Sequence, residues 1–317
     1  MPSRIPCFAA DTESLSPFFP LAQMRHFGFF SQAFAKELSQ SAEFSFAPGD
    51  DTLEITIEGR GPSFHDAITK LAGELEVDQS HISALRKVDR FFPGTGTLLK
   101  TDFHREKEGE ISIYYQTQLS LKLASSCAHL LGLPAFPSGE IAALGKLLGR
   151  KGVYMGIDLM HGGAPACAIF FPIPAGSARE ILLPGLLTAM EILSCDGWQK
   201  SLIGRRHNEL ISSASGDLFI SVLFRDMLVK AIKIDYENVP VPRAYQVLKE
   251  LEIERNEIIR MVNIAGALGT RTLSYFGIKL AAGRPALPKF YFKRPYWAAG
   301  DEVELFARYL ESSYFRI

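Results

Sequence analysis

The sequence predicts an α+β fold, a ten-stranded antiparallel β-barrel built from five αββα repeats, with helices outside and a solvent-filled lumen. Three observations support this prediction. Five segments have the pattern of a β-hairpin, they recur at nearly equal spacing, and alternation gives each strand one apolar and one polar face. We expect a single domain over residues 1–317, long enough to bury a full core.

The five hairpin segments combine period-2 alternation with β-branched or aromatic residues and with Gly, Asp or Pro near the centre. These are the signals of two strands joined by a turn. Successive segments begin 54 to 64 residues apart, and they cover residues 43–58, 97–116, 153–171, 217–236 and 273–292. Ten antiparallel strands in such regular units favour a closed barrel, because open sheets of that size tend to curl or split.

Amphipathic helices are predicted between the hairpins. In residues 63–75 the apolar side chains recur at 64, 67, 68, 71 and 75, which is the spacing of one helix face. Similar patterns predict helices over residues 21–38, 119–131, 178–192, 243–268 and 301–311.

The apolar face of each strand is predicted to point outward, because the helices need an apolar sheet surface on which to pack. In residues 288–293, Phe290 and Phe292 share the outer face and Lys289 and Tyr291 share the inner one. Strand side chains alone cannot fill the lumen of a ten-stranded barrel, so the inner face should line a chamber. The alternative is an ordinary α+β sheet with one solvated face.

The predicted inner face brings lysines and tyrosines together. The cationic positions are Lys100, Lys233, Lys279 and Lys289, with Arg225 and Lys293 near strand ends, and the phenols are Tyr114, Tyr154, Tyr275 and Tyr291. Converging lysines repel one another unless an anion lies among them, and ammonium and phenol groups suit the oxygens of a diphosphate. A strongly basic pocket is therefore predicted inside a nearly neutral chain. The alternative is that each lysine pairs with an acidic residue on the same strand faces, namely Glu54, Glu58, Asp102, Asp158 or Asp235.

The composition excludes several other classes of protein. With 34 Lys and Arg against 35 Asp and Glu, the net charge of −1 gives no basic surface for nucleic acid or an anionic membrane. No apolar run is long enough to span a bilayer, and the first 20 residues lack the apolar core of a signal peptide. Four widely spaced cysteines predict free thiols. We expect a cytoplasmic protein without nucleic-acid or membrane partners, and a monomer, because a closed barrel has no free edge.

Repeated αββα units that close into a ten-stranded barrel resemble the ABBA-type, or PT-barrel, soluble aromatic prenyltransferases. The segment Lys289-Phe290-Tyr291 is similar to the inward Lys-x-Tyr with which those enzymes bind the prenyl diphosphate. Ser112-Ile113-Tyr114 keeps only the tyrosine, and Ala168-Ile169-Phe170 keeps neither residue. The chain is therefore expected to be a divergent branch.

This resemblance implies electrophilic transfer of a prenyl group from an allylic diphosphate, dimethylallyl or geranyl, to an electron-rich aromatic acceptor. The acceptor would be a small phenol, indole or phenazine-like molecule or a peptide side chain. The position of the family's base, on a strand of the first repeat, implies Glu54 as the catalytic carboxylate, and Glu58 is the competing candidate. The alternative for both is that they are solvated or paired strand carboxylates. The diphosphate would contact Lys100, Lys233, Lys279, Lys289, Tyr291 and Arg225. The prenyl and aromatic groups would contact Tyr114, Tyr154, Phe170, Phe219 and Tyr275.

No cofactor is firmly implied. Asp50 and Asp51 fall at a predicted hairpin tip, where Asp favours turn geometry, so no metal ligand is assigned and Mg²⁺ stays an open option. A second functional class is a non-catalytic barrel that binds or carries an amphipathic small molecule, which the missing Lys-x-Tyr positions favour. Convergence of the four lysines with Tyr291 in one chamber would favour the prenyltransferase.

Overall fold

The barrel predicted from the sequence is present. The computed structural model describes residues 7–40, 42–104, 109–133, 138–149, 152–174, 182–192, 195, 197–214, 216–225 and 228–293. Within these ranges ten antiparallel strands close into one ring in the order β1-β10-β9-β8-β7-β6-β5-β4-β3-β2. The strands are β1 (Ala42–Phe46), β2 (Leu53–Arg60), β3 (Gly96–Phe103), β4 (Glu110–Leu119), β5 (Val153–Met160), β6 (Ala166–Ile173), β7 (Leu218–Arg225), β8 (Leu228–Pro240), β9 (Thr272–Leu280) and β10 (Leu287–Lys293).

In the described ranges, the first four hairpins are each followed by a pair of helices rather than by a single one. The helices are α1 (Cys7–Leu15), α2 (Phe27–Ala33), α3 (Ala35–Gln40), α4 (Pro62–Glu74), α5 (Gln79–Asp89), α6 (Leu121–Leu130), α7 (Ser138–Leu147), α8 (Leu182–Ile192), α9 (Gly197–Ser213), α10 (Val241–Glu250) and α11 (Arg255–Ala267). The predictions over 63–75 and 119–131 are confirmed by α4 and α6, and the described part of 178–192 is α8. The second helices α5, α7 and α9 were not predicted. The helix predicted over 301–311 lies outside the described residues.

The continuous helix predicted over residues 243–268 is wrong, because α10 and α11 are separate. Glu252 has a φ of 55°, in the left-handed region that ends helices. The Ile253 N–H then donates to the Leu248 carbonyl at 3.1 Å, and the side chain of Ile253 packs against the core. This turn caps α10 and redirects the chain into α11.

The helix predicted over residues 21–38 is also interrupted. A 3₁₀ turn over Leu21–Gln23 precedes α2 and α3. His26, which lies between this turn and the start of α2, has a φ of 60°. A left-handed residue cannot continue a right-handed helix, so the chain bends there to pack Phe30 and Phe34 into the core.

The apolar core lies between the sheet and the helices, as predicted. Outward strand residues such as Phe276, Ile278, Phe290 and Phe292 have no exposed surface. Many inward residues keep partial exposure, and β2 alternates buried and half-buried positions along most of its length. This alternation is the property of a hollow barrel whose inner face is in contact with solvent.

The strand connections define two ends of the barrel. Because neighbouring strands are antiparallel and each hairpin joins consecutive strands, all five hairpin turns lie at one end, which we call the tip end. The connections that contain helix pairs lie at the opposite end, which we call the helix end.

Cys127 and Cys167 are free thiols, and both are buried, as is Cys195. Burial raises the pKa of the Cys127 thiol to about 11 and that of Cys167 well above its ordinary value, so both are poor nucleophiles at neutral pH. None of the helices in the described ranges combines the length and apolar character that a membrane crossing requires.

Candidate active site on the inner face of the barrel

Four lysines lie on the inner face of the barrel, and three of them, Lys100, Lys233 and Lys289, converge beside Tyr291. Lys100 lies on β3, Lys233 on β8, Lys279 on β9 and Lys289 on β10. They are close enough that Lys100 and Lys233 repel the charge of both Lys279 and Lys289. Lys233 donates a hydrogen bond to the Tyr291 hydroxyl, and the ammoniums of Lys233 and Lys289 lie 4.5 Å and 5.5 Å from the centroid of its ring. This convergence is the feature that separates the two functional classes.

Glu54 bridges two of these lysines. Its Oε1 lies 3.5 Å from Lys100 Nζ, and its Oε2 pairs with Lys289 Nζ and accepts a hydrogen bond of 2.8 Å from Ser45 Oγ. Burial would raise the pKa of Glu54, but the two ammoniums and the Ser45 hydroxyl outweigh it and hold that pKa well below its usual range. Glu54 is therefore an ionised counter-ion within the lysine cluster.

Lys289 and Lys100 differ although they share Glu54. Burial and the nearby charges of Lys100 and Lys233 lower the pKa of Lys289 to about 8, against the opposing attraction of Glu54. Burial also disfavours the charge of Lys100, but Glu54, with Tyr114 and Asp158, raises its pKa well above the ordinary value. One carboxylate cannot neutralise two ammoniums, so the two lysines together keep an excess positive charge.

The chamber is of mixed charge, rather than strongly basic as the sequence predicted. Lys233 pairs with Asp235 at 2.6 Å, so three of the four lysines have a carboxylate partner, as the alternative interpretation anticipated. Further carboxyl groups lie toward the tip end, where Asp102 accepts from the Glu110 N–H. Burial, assisted by repulsion from Asp158, raises the pKa of Glu110 to about 7.

Lys279 has no carboxylate partner among the described residues, and it is exposed. Its pKa is lowered by partial burial and by repulsion from Lys233, its register partner on β8. Gly277, two residues earlier on β9, makes room for the neighbouring pair. A Cβ at Gly277 would lie 2.5 Å from Asp235 Oδ1 and 2.7 Å from Lys233 Cε. The glycine therefore allows this ion pair to lie flat on the inner wall.

Two groups of aromatic rings form walls beside the lysines. Phe219, Tyr275 and Tyr291 follow one another with centroid separations of 5.9 Å in edge-to-face geometry. Burial raises the pKa of both tyrosines, so they present neutral phenols. On the other wall, the rings of Tyr114 and Phe170 meet edge to face at 5.4 Å.

Gly156 separates Tyr114 from Phe170 on the intervening strand β5. A Cβ at Gly156 would lie 2.7 Å from the Tyr114 ring and 3.1 Å from the Phe170 ring. The aromatic pair therefore requires glycine at this position. Tyr154, the register partner of Phe170, is also inward and half-buried.

One predicted residue lies away from the cluster. Glu58, the competing base, is nearer the helix end and pairs with Arg60 at 3.4 Å. Arg225 is the last residue of β7, at the tip end, but its side chain lies outside what the structure describes.

Sequence analysis missed Ser45, which is fully buried on β1 beside Glu54 on β2 and Tyr291 on β10. The alternation Phe44-Ser45-Phe46 would have placed it on the inner face.

At the hairpin tip, the Thr52 N–H donates to Asp50 Oδ1 at 2.9 Å, so the turn interpretation of Asp50 is confirmed. Within the described ranges, no three or more His, Cys, Asp or Glu side chains are grouped to hold a metal ion.

A second polar network, also missed, lies outside the chamber between the sheet and helices α4 and α5. Tyr115 donates to Asp89 at 2.5 Å, Asp89 lies 3.0 Å from His65 Nδ1, and His65 Nε2 is 3.3 Å from Thr97 Oγ1. The order Thr-His-Asp resembles a nucleophilic triad, but Thr97 is fully buried. No substrate can reach its hydroxyl, so the network is structural.

No family model matches this sequence, and no curated protein does. Solved structures, however, share its fold. 5-Dimethylallyltryptophan synthase from Streptomyces coelicolor aligns with a TM-score of 0.66 at 12% identity over 92% of this chain and 98% of its own. PriB in a binary complex with product diphosphate aligns with a TM-score of 0.65 at 13% identity, over 92% of this chain and 96% of its own. PriB in a ternary complex with L-tryptophan and dimethylallyl thiolodiphosphate aligns with a TM-score of 0.63 at 11% identity, over 92% of this chain and 96% of its own.

The whole chamber-forming part of the chain therefore has the fold of the aromatic prenyltransferases. This confirms the PT-barrel architecture that the sequence resemblance implied.

Proposed function

We propose that this chain is an aromatic prenyltransferase that moves a prenyl group from an allylic diphosphate to an electron-rich aromatic acceptor. The observation that carries the proposal is the convergence of Lys100, Lys233 and Lys289 with Tyr291 in a chamber walled by aromatic rings. A prenyl diphosphate has the matching composition, because an anionic head is joined to an apolar tail.

In this proposal the lysines drive the first step. The prenyl C–O bond breaks heterolytically, the electron pair leaves with the diphosphate, and an allylic cation remains. Ammonium groups already in place stabilise the charge that develops on the leaving group, and such stabilisation usually contributes most to catalysis in sites of this kind. The aromatic wall of Tyr291, Tyr275 and Phe219 lies beside the lysines and is proposed to stabilise the cation through its π-electrons. The aromatic walls of the chamber are proposed to limit the access of water, which would capture the cation.

The acceptor attacks the cation through an electron-rich carbon and then loses a proton to restore its aromaticity. Glu54 is the proposed base, because it is the carboxylate in direct contact with Lys100 and Lys289. Glu58 fits less well, since it pairs with Arg60 toward the helix end. Tyr114, Tyr154 and Phe170 are proposed to contact the prenyl or aromatic group.

The structural neighbours support the choice of substrates. PriB binds product diphosphate, and it binds L-tryptophan together with dimethylallyl thiolodiphosphate. For this chain we propose a dimethylallyl or geranyl diphosphate donor and a small phenol, indole or phenazine-like acceptor, or an aromatic side chain of a peptide.

The direct test is incubation with dimethylallyl and geranyl diphosphates and a panel of those acceptors, with and without Mg²⁺, followed by mass spectrometry. We expect a product heavier by one prenyl group, lost in Lys100→Met and kept in Lys249→Met. Lys249 is the matched control because it lies on the exposed side of α10, 5.8 Å from the Tyr245 ring. Absence of product with every pair, and no thermal stabilisation by any diphosphate, would reject the proposal.

A non-catalytic barrel that carries an amphipathic molecule is the second candidate. The observation in its favour is that Lys100, Lys233 and Lys289 already have carboxylate partners, which would let the chamber exist without an anion. Saturable binding of prenyl alcohols with no diphosphate preference and no turnover would support this candidate instead.

A further inference from the structure

We infer that Glu54 is an internal counter-ion that the donor diphosphate displaces from Lys100 and Lys289, so that donor binding itself frees the base. This inference rests on the proposed function and adds to it a link between the two substrates. Glu54 would compete with the donor before it serves the acceptor.

The geometry of the bridge supports this role. Each oxygen of Glu54 faces a different lysine, and the two lysines come from β3 and β10, on opposite sides of the β1–β2 hairpin. The side chains of Glu54, Lys100 and Lys289 are 16%, 18% and 19% exposed. Solvent therefore reaches the two ion pairs but screens them only in part. A carboxylate held between two ammoniums occupies the position where the oxygens of a phosphate would make the same contacts.

A diphosphate and Glu54 cannot both hold these lysines fully. The diphosphate brings more oxygens and more negative charge, so it should capture both ammoniums and leave Glu54 with Ser45 alone. Asp102, the register partner of Glu54 on β3, adds a second negative charge that repels the carboxylate of Glu54. Glu54 would then turn away or gain basicity, and in either case it becomes available to the acceptor.

The other ion pair of the chamber lacks this property. Asp235 contacts Lys233 from the same strand and bridges no second lysine in the described structure. Displacing it would release one cation only, and Lys233 already donates to the Tyr291 hydroxyl. Glu54 is thus the carboxylate whose removal should change donor affinity most.

The test is the dissociation constant of dimethylallyl S-thiolodiphosphate, measured by calorimetry for the wild type, Glu54→Gln and Asp102→Asn. Removing a competing counter-ion should tighten binding by roughly tenfold in Glu54→Gln. Asp102→Asn is the matched control, because it removes a negative charge at the same level of the barrel while its side chain accepts from the Glu110 N–H rather than contacting a lysine. We expect it to tighten binding by about twofold at most.

Unchanged or weaker binding in Glu54→Gln would overturn the inference, and so would equal tightening in both variants, which would indicate bulk charge alone. If Glu54→Gln does not fold, Glu54→Asp replaces it, because the shorter side chain cannot bridge both lysines and should also tighten binding. Weaker binding in Glu54→Asp would then overturn the inference. A wild type that binds no diphosphate would reject the proposed function instead, so the two failures are distinct.

Discussion

Replacing Lys289 with Met tests the lysine cluster at the lysine whose pKa is lowered to about 8. The substitution keeps the length and apolar body of the side chain and removes its charge. Lys289 pairs with Glu54 and lies 5.5 Å from the centroid of the Tyr291 ring, so it should contact the donor diphosphate directly. We expect weaker donor binding, with an effect that depends on pH because this ammonium has a lowered pKa.

The expected magnitude follows from the contacts and the pKa. A hydrogen bond to a charged group contributes about 2 kcal/mol, so at pH 7, where Lys289 is protonated, Lys289→Met should weaken binding roughly 30-fold. The pKa of Lys289 is about 8, so at pH 9 the wild type must first protonate this amine. That step costs about 1.4 kcal/mol, which reduces the difference between the proteins to roughly threefold.

The assay is calorimetric titration with dimethylallyl S-thiolodiphosphate at pH 7 and pH 9, with Lys249→Met as the control on the outer surface. An equal loss of affinity in both variants would show that the effect is not local to the chamber. A loss in Lys289→Met that does not shrink between pH 7 and pH 9 would refute the reasoning from the lowered pKa.

Three further predictions concern the walls and the core. Gly156→Ala places a methyl group against the Tyr114 ring, so turnover with geranyl diphosphate should fall more than with dimethylallyl diphosphate; an equal fall would contradict this. Burial raises the pKa of Glu43 to about 7, so between about pH 4.5 and pH 7 the folded state keeps a proton that the unfolded state loses. The free energy of unfolding therefore falls as the pH rises through that window. Glu43→Gln should therefore gain thermal stability over the wild type across that window, and a constant difference would argue against it. Tyr115→Phe removes the donor to Asp89 and should lower the unfolding free energy by about 1–3 kcal/mol without changing turnover, which a melt paired with a rate assay checks.

The barrel was predictable because strand alternation depends on local sequence. In β10 the order Lys289-Phe290-Tyr291-Phe292 fixes which side chains face the helices, and burial follows that order. The break between α10 and α11 was not predictable, because Glu252 takes the left-handed conformation at a position without the glycine that usually indicates it. Helix α5 did carry a signal that was overlooked, because Asp78 caps it by accepting from the Ser80 N–H.

The inward positions of the site were predictable, but their partners were not. Which carboxylate meets which lysine depends on the stagger between strands. Lys100 and Glu54 come from neighbouring strands in different hairpins, and Lys289 reaches Glu54 only because β10 closes on β1. Periodicity predicts the closed barrel but carries no information on the register between neighbouring strands, so the lysines were predicted as an unpaired basic pocket and occur in a chamber of mixed charge.

The most direct test of the account is a crystal structure of the chain with dimethylallyl S-thiolodiphosphate. The account predicts diphosphate oxygens within hydrogen-bond distance of the ammoniums of Lys100 and Lys289, with Glu54 no longer between them. The prenyl tail should lie inside the barrel against the aromatic walls. A diphosphate bound outside the barrel, or one that leaves the bridge of Glu54 to both lysines intact, would contradict it.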